Sequence, residues 1–122
     1  MRRYLLDTGT VGDYLARRRD VFARAKEEVA RGNRIGICVP VLGELYYGIE
    51  LSASRERNLK QLLRDLPTLT VWPYNDSAAV EFGRLAAALR RLGRTMQQID
   101  IQIAAIALSG CLESFTLLFP CI

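Results

Sequence analysis

The sequence contains no histidine, and this absence removes several kinds of site at once. A Ser–His–Asp triad and a zinc site built on imidazole both need a histidine side chain, so both are excluded for these residues. Cysteine is also scarce, because Cys38, Cys111 and Cys121 form an odd set without the close spacing of a metal-binding pair. We therefore expect no disulfide framework and predict that Cys38, inside an apolar run, is a small buried side chain.

Long hydrophobic runs are missing as well. No apolar run approaches the ~20 residues that a membrane-spanning helix needs, and the apolar stretch after Arg2 and Arg3 is too short for a signal peptide. We therefore expect a cytoplasmic protein without membrane contact. The 122 residues are 50% hydrophobic, which predicts one domain over residues 1–122 with a well-formed core.

Lysine is nearly absent although the chain is basic, with a net charge of +4. Only Lys26 and Lys60 are lysines among the 17 basic residues, and the arginines that make up the rest offer a planar fork suited to phosphate or carboxylate. Two clusters stand out, Arg17–Arg19 and Arg90–Arg91. They fit contact with RNA or with an acidic partner segment, and they equally fit solvated helix faces.

Apolar strand-like segments alternate with helical patterns along the chain. Strands are predicted at 3–6, 35–39, 69–72 and 115–119, with helices between them and one from Asp100 to Leu108. This alternation predicts an α/β fold with a central parallel β-sheet flanked by helices. The apolar faces of three predicted helices are Val21, Phe22, Ala25 and Val29; Leu59, Leu62, Leu63 and Leu66; and Val80, Leu85, Leu89 and Leu92.

Three carboxylates lie where apolar segments meet loops or helix starts: Asp7, Glu44 and Asp100. A carboxylate desolvated beside a buried run is costly unless it is paired or holds a cation. In parallel sheets the functional crevice lies at the carboxyl ends of the strands, where Asp7 is predicted. Three acids sharing one site indicate a hard metal ion, Mg²⁺ or Mn²⁺. Such an ion suits hydrolysis of a nucleic-acid backbone.

Each acid also has a simpler interpretation. Asp7 and Asp100 are both suited to cap the helices that follow them. Asn75 or Asp76 is suited to the same role in a long helix to Leu92, which Gly93 closes. Glu44 fits a solvent-facing position on a helix. Thr8 or Thr10 is placed to hydrogen-bond a carboxylate, a metal-bound water or a phosphate. Sequence position alone leaves these alternatives open.

Three segments in order resemble the PIN-domain family, and more narrowly the VapC-type toxins of bacterial toxin–antitoxin pairs. They are Leu5-Leu6-Asp7-Thr8, Glu44-Leu45-Tyr46-Tyr47-Gly48-Ile49 and Asp100-Ile101-Gln102-Ile103-Ala104-Ala105-Ile106-Ala107. The resemblance implies a PIN-like α/β fold and a Mg²⁺- or Mn²⁺-dependent ribonuclease, with Asp7, Glu44 and Asp100 as metal ligands and catalytic residues. It also implies a homodimer and a cognate VapB-type antitoxin whose tail blocks the site.

The end of the chain departs from that family pattern. The family usually carries a fourth acid after its last strand, whereas residues 111–122 contain no aspartate, and Glu113 precedes the apolar run. We therefore assign no catalytic role to Glu113 and expect an atypical or truncated C-terminal end at about 111–122. Losing one acid weakens the hold on a cation. Two alternatives stay open: a catalytically impaired protein that binds antitoxin or RNA without cleaving, and a DNA nuclease on the same scaffold.

Overall fold

The computed structural model describes residues 1–114. Within this range the strands are β1 (Arg3–Leu5), β2 (Arg34–Cys38), β3 (Thr70–Trp72) and β4 (Glu113–Ser114). The helices are α1 (Thr8–Leu15), α2 (Val21–Ala30), α3 (Val39–Leu51), α4 (Arg55–Asp65), α5 (Asp76–Arg91) and α6 (Gln98–Ser109), and a 3₁₀ turn spans Leu66–Thr68.

The four strands form one parallel sheet in the order β3-β2-β1-β4. Strand β1 is hydrogen-bonded on one side to β2 and on the other to β4. The predicted α/β class with a central parallel sheet is therefore confirmed. The predicted strand at 115–119 lies outside the described residues.

The core lies around the sheet and the helices that follow β1 and β2. The side chains of Leu6, Val11, Ile37 and Val41 are fully buried. Cys38 is fully buried too, and burial raises the pKa of its thiol, as expected of the apolar role predicted for it. No helix within residues 1–114 is both long enough and apolar enough to cross a bilayer.

The predicted apolar face of α2 is wrong at one position. Val21, Ala25 and Glu28 are buried, whereas Val29 is 52% exposed. At about 100° per residue, Glu28 falls almost directly below Val21, while Val29 is rotated well away from it. The carboxylate of Glu28 is satisfied by Arg31 Nη1 at 2.7 Å and Asn33 Nδ2 at 2.8 Å, so a charged residue completes the buried stripe.

Exposed apolar residues also correct the faces predicted for α4 and for the segment through α5. Leu62 is buried but its neighbour Leu63 is exposed, because adjacent residues on a helix cannot share one face. Val80 and Leu92 are exposed as well, and Leu92 lies one residue beyond the end of its helix. Gly93, with φ of +69°, ends that helical segment as predicted.

Candidate functional site

Asp7 lies at the carboxyl end of β1 and caps α1. Its backbone is extended, and its Oδ1 accepts a hydrogen bond from the backbone N–H of Thr10 at 2.8 Å. The predicted capping role is therefore confirmed. Because a carboxylate has two oxygens with several acceptor sites, capping leaves Asp7 able to contact a further ligand. The side chain is exposed to solvent.

Asp100 lies in the first turn of α6 and is also exposed. The residue that precedes this helix as its N-cap is Gln97, so the interpretation of Asp100 as the cap is wrong. The corresponding interpretation of Asp76 is wrong for the same reason, because Asn75 caps α5 by accepting a hydrogen bond from the N–H of Ala78 at 3.0 Å. A carboxylate in the first turn is favoured by the partial positive charge of the helix N-terminus.

Asp7 and Asp100 line the same cavity, which has a volume of about 280 Å³. Leu5 and Ser114, which are register partners in β1 and β4, also line it. The cavity thus opens at the carboxyl ends of two neighbouring strands, where the strand order departs from chain order. Such a switch point is where ligands bind in open parallel sheets. The remaining wall is apolar and comes from α6: Ile103, Ala104 and Ala107.

Glu44 is linked to this region by a hydrogen bond with Thr8. The Thr8 hydroxyl donates a hydrogen bond to Glu44 Oε1 at 2.5 Å, and Thr8 directly follows Asp7. The prediction that Thr8 hydrogen-bonds a carboxylate is confirmed. The half-buried Glu44 side chain itself lines a second groove of about 270 Å³, formed by α1, α3 and α4.

Residues 1–114 contain no set of three Asp, Glu, Cys or His side chains close enough together to hold one metal ion. The structure brings Asp7 and Asp100 to one cavity. Glu44 does not line that cavity and is linked to it through its hydrogen bond with Thr8, the neighbour of Asp7. The three-acid metal site therefore stays a prediction. The desolvation cost expected from the sequence does not apply to Asp7 and Asp100, because both side chains are exposed to solvent. Exposed oxygen donors still fit Mg²⁺, which retains several of its waters.

Strand β4 supplies Ser114 to the cavity rather than an acid. The carboxylate of Glu113 instead lies 4.0 Å from Nε of Arg2, and both side chains are exposed. Glu113 is thus not among the described residues that line the cavity. Ser114 and Leu5 could not be predicted as cavity residues from the sequence, because only the parallel pairing of β4 with β1 places them side by side.

The first arginine cluster is largely engaged within the fold. Arg17 binds Asp65 through two hydrogen bonds, of 2.9 and 3.1 Å, and its guanidinium carbon lies 3.5 Å from the centre of the Phe22 ring. Arg18 pairs with Asp13 at 3.1 Å. Among these contacts, the one with buried Asp65 gives Arg17 a structural role.

Asp65 is 3% exposed and accepts hydrogen bonds from two arginines, Arg17 and Arg64. Burial by itself raises the pKa of its carboxyl group, but the hydrogen bonds from Arg64 and Arg17 outweigh burial and lower the pKa to about 2. The carboxylate is therefore charged at neutral pH and fastens the turn after α1 to the end of α4.

Several known proteins are similar to this chain in sequence and in fold. A protein of Haemophilus influenzae named ribonuclease VapC2 is 34% identical over 113 residues, which cover 89% of this chain and 81% of that protein. The tRNA(fMet)-specific endonuclease VapC of Shigella flexneri is 30% identical over 109 residues, with the same two coverages. A solved structure of DNA-bound VapBC from Salmonella typhimurium superposes with a TM-score of 0.84 at 29% identity, covering 96% of this chain and 89% of that one.

A match to the PIN domain family extends over residues 4–117, nearly the whole sequence. It includes the strand end with Asp7, the helix with Glu44 and the helix with Asp100. The chain belongs to the PIN-domain family.

Proposed function

We propose that this protein is a metal-dependent endoribonuclease and the toxin component of a type II toxin–antitoxin system. The observation that carries the proposal is the placement of Asp7 and Asp100 on one cavity at the carboxyl ends of β1 and β4. Relatives 34% and 30% identical to the chain are named as a ribonuclease and a tRNA-specific endonuclease. The substrate proposed here is RNA, and the reaction is hydrolysis of its phosphodiester bonds.

In this proposal Asp7 and Asp100 hold Mg²⁺, or alternatively Mn²⁺, and Glu44 completes the acidic cluster. The bound ion would orient a phosphodiester and neutralise the charge that develops on its oxygens. The protein itself fixes the acids: the N–H of Thr10 holds one oxygen of Asp7, and the hydroxyl of Thr8 holds one oxygen of Glu44. Apolar side chains of α6 line the rest of the cavity.

Isosteric substitutions test the site without disturbing the local folds. Asp7→Asn keeps an oxygen for the N–H of Thr10, and Asp100→Asn keeps the shape of the first turn of α6, while each removes one charge. We expect each variant to cleave RNA at least ~100-fold more slowly than the parent in Mg²⁺, the scale of losing a group that stabilises the transition state.

Asp76→Asn is the matched control. Asp76 is an exposed acid in the first turn of α5, as Asp100 is in α6, but it does not line the cavity. We expect this variant to cleave at the parent rate. Equal cleavage by the parent, Asp7→Asn and Asp100→Asn would refute the assignment of the site.

The proposal includes a homodimer and a cognate VapB-type antitoxin, acting together in the cytoplasm. Two solved structural neighbours, from Rickettsia felis and Salmonella typhimurium, are VapBC assemblies. Apolar side chains on the surface of α3 are exposed, including Tyr47 at 69% and Leu51 at 70%. Such a surface is suited to contact with another protein chain. We also infer a single domain over residues 1–122 whose last segment, 111–122, is atypical. Light scattering of the purified chain, alone and with antitoxin, measures these assemblies.

One observation favours a second candidate, a catalytically impaired protein that binds antitoxin or RNA without cleaving it. Within residues 1–114, the β4 contribution to the cavity is Ser114, so the fourth acid of the family pattern has no counterpart there. The two candidates differ in a direct assay. Cleavage of RNA in Mg²⁺ or Mn²⁺ supports the enzyme, whereas antitoxin binding without cleavage in either metal supports the impaired form.

A further inference from the structure

Helix α4 presents three cationic side chains on one face. Arg57, Lys60 and Arg64 are spaced by three and then four residues, which places them one above another along the helix. Together with Asn58 and Gln61 they line an open groove of about 670 Å³. The described lining of this groove contains no carboxylate. We refer to these five residues as the α4 groove.

The cations of the α4 groove are exposed and only partly engaged. Arg57 and Lys60 take part in no ion pair within residues 1–114. Arg64 donates from Nε and Nη2 to Asp65, at 3.1 and 2.9 Å, and these two bonds fix the orientation of its guanidinium. The groove therefore offers one oriented guanidinium and two unpaired cations, and an anion bound there would meet all three.

The two amide side chains bring acceptors to the same surface. Asn58 donates from Nδ2 to the hydroxyl of Ser52 at 3.0 Å, and Gln61 donates from Nε2 to the carbonyl oxygen of Leu15 at 2.9 Å. Each amide nitrogen has donated one of its two hydrogens inside the protein, and none of the hydrogen bonds described within residues 1–114 uses either amide oxygen, so the oxygens are available to a ligand. An amide oxygen accepts a hydrogen bond from a ribose 2′-hydroxyl, which is a group that RNA has and DNA lacks.

The α4 groove is continuous with the groove that contains Glu44. Asn58 and Gln61 line both, so no other element separates the cations from the acid. Glu44 is in turn hydrogen-bonded to Thr8, next to Asp7. An extended ligand bound to the cations of α4 has an uninterrupted surface along which it reaches the acids.

We propose that the α4 groove binds the sugar–phosphate backbone of the RNA substrate at a distance from the bond to be cleaved. Phosphates match the cations, and ribose hydroxyls match the amide oxygens. An acidic polypeptide is a poorer match, because its carboxylates would face those same oxygens. The inference takes RNA as the substrate from the proposed function, but its test measures binding without cleavage, so the two fail separately.

The test compares two double variants that each remove two positive charges. Arg57→Gln/Lys60→Gln alters the α4 groove, and Arg90→Gln/Arg91→Gln alters the last turn of α5. Binding of a fluorescently labelled, unstructured RNA oligonucleotide is followed by anisotropy over a range of salt concentrations, with EDTA present so that metal-dependent cleavage does not occur. A gel confirms that the RNA stays intact.

We expect the α4 variant to lose two phosphate contacts. At about 0.7 per contact on a single strand, the slope of log K against log salt falls by about 1.4, which corresponds to roughly 25-fold weaker binding at about 0.1 M salt. The α5 variant should keep a slope close to that of the parent. The exchange Arg57→Lys/Lys60→Arg, which conserves both charges, should retain most of the binding and shows that the fold is intact.

Three results would overturn the proposal. One is unchanged RNA binding by the α4 variant in its folded state. Another is an equal loss in both double variants, which would show an effect of net charge alone. The third is an α4 variant that still binds RNA but no longer binds a polyglutamate peptide, because the groove would then serve an acidic protein.

Discussion

The hydroxyl of Thr8 donates to the carboxylate of Glu44 at 2.5 Å and joins the start of α1 to the middle of α3. These two residues are 36 positions apart in the sequence. The bond therefore places Glu44 beside the residue that follows Asp7, and in this way it links Glu44 to the cavity that Asp7 and Asp100 share.

Removing the Thr8 hydroxyl should impair cleavage through the position of Glu44. Thr8→Val leaves the carboxylate without its donor, and a hydrogen bond to a charged group contributes about 1.5–3 kcal/mol. We therefore expect kcat to fall about tenfold, with a higher Mg²⁺ concentration needed for half-maximal rate. Thr8→Ser restores the hydroxyl and should restore both values, and thermal unfolding should be similar in all three proteins. Equal losses in Thr8→Val and Thr8→Ser would contradict the role.

The two functions of Asp7 can be separated by choice of substitution. Asp7→Ala removes the cap of α1 as well as the charge, whereas Asp7→Asn removes the charge alone. We expect Asp7→Ala to lower the free energy of unfolding by about 1 kcal/mol and Asp7→Asn to leave it nearly unchanged. Urea denaturation measures the difference. If Asn and Ala were equally destabilising, the bond to the N–H of Thr10 would not be contributing.

The Asp65 carboxylate should make stability depend on acid pH. Its pKa is lowered to about 2 in the folded protein, against about 3.9 in an unfolded chain. A lowered pKa contributes stability that is fully present above about pH 4 and is lost as the pH falls towards 2, by about 2 kcal/mol in total. Urea unfolding between pH 7 and pH 2 should show this loss in the parent, with a much smaller pH-dependent loss in Asp65→Asn.

Asp13→Asn is the control for that measurement. Asp13 pairs with Arg18, whose side chain is 65% exposed, and exposed pairs contribute about 0–1 kcal/mol. Its substitution should leave the acid-dependent loss of the parent in place. A parent whose stability did not change below pH 4 would show that Arg17 and Arg64 do not hold Asp65 as described.

Gly36 should be intolerant of a side chain. A Cβ added there would overlap the carbonyl of Thr70 and the ring of Trp72, both in the neighbouring strand β3. Because a backbone atom in a paired strand cannot move aside cheaply, we expect Gly36→Ala to destabilise the fold by about 3 kcal/mol.

Gly43→Ala provides the opposite case. A Cβ at Gly43 meets nothing within 4 Å, and the residue lies inside α3. Replacing glycine by alanine in a helix should stabilise the protein by about 0.5–1 kcal/mol. Thermal unfolding of both variants checks the pair, and similar effects at the two positions would show that the close approach of β2 and β3 is not as described.

The sequence by itself determined the order and kind of the elements. Apolar runs around Ile37 and Val71 predicted strands, and the capping and breaking residues Asn75 and Gly93 marked the ends of a helix correctly. These features are local, because period, caps and turns depend on residues within a few positions of one another. The resemblance of three short segments identified the family for the same reason, since each segment is contiguous.

Only the tertiary structure decided which side chains meet. The packing of distant elements decided three features that the sequence did not show. It buried Glu28 rather than Val29 on α2, it paired Asp65 with its arginines, and it brought Ser114 of β4 to the cavity. The acids show the same division. Their positions along the chain could be read from the sequence. The shared cavity of Asp7 and Asp100 depends instead on the pairing of β1 with β4, and the bond from Thr8 to Glu44 depends on the packing of α1 against α3. Contacts between distant residues are set by packing and not by spacing.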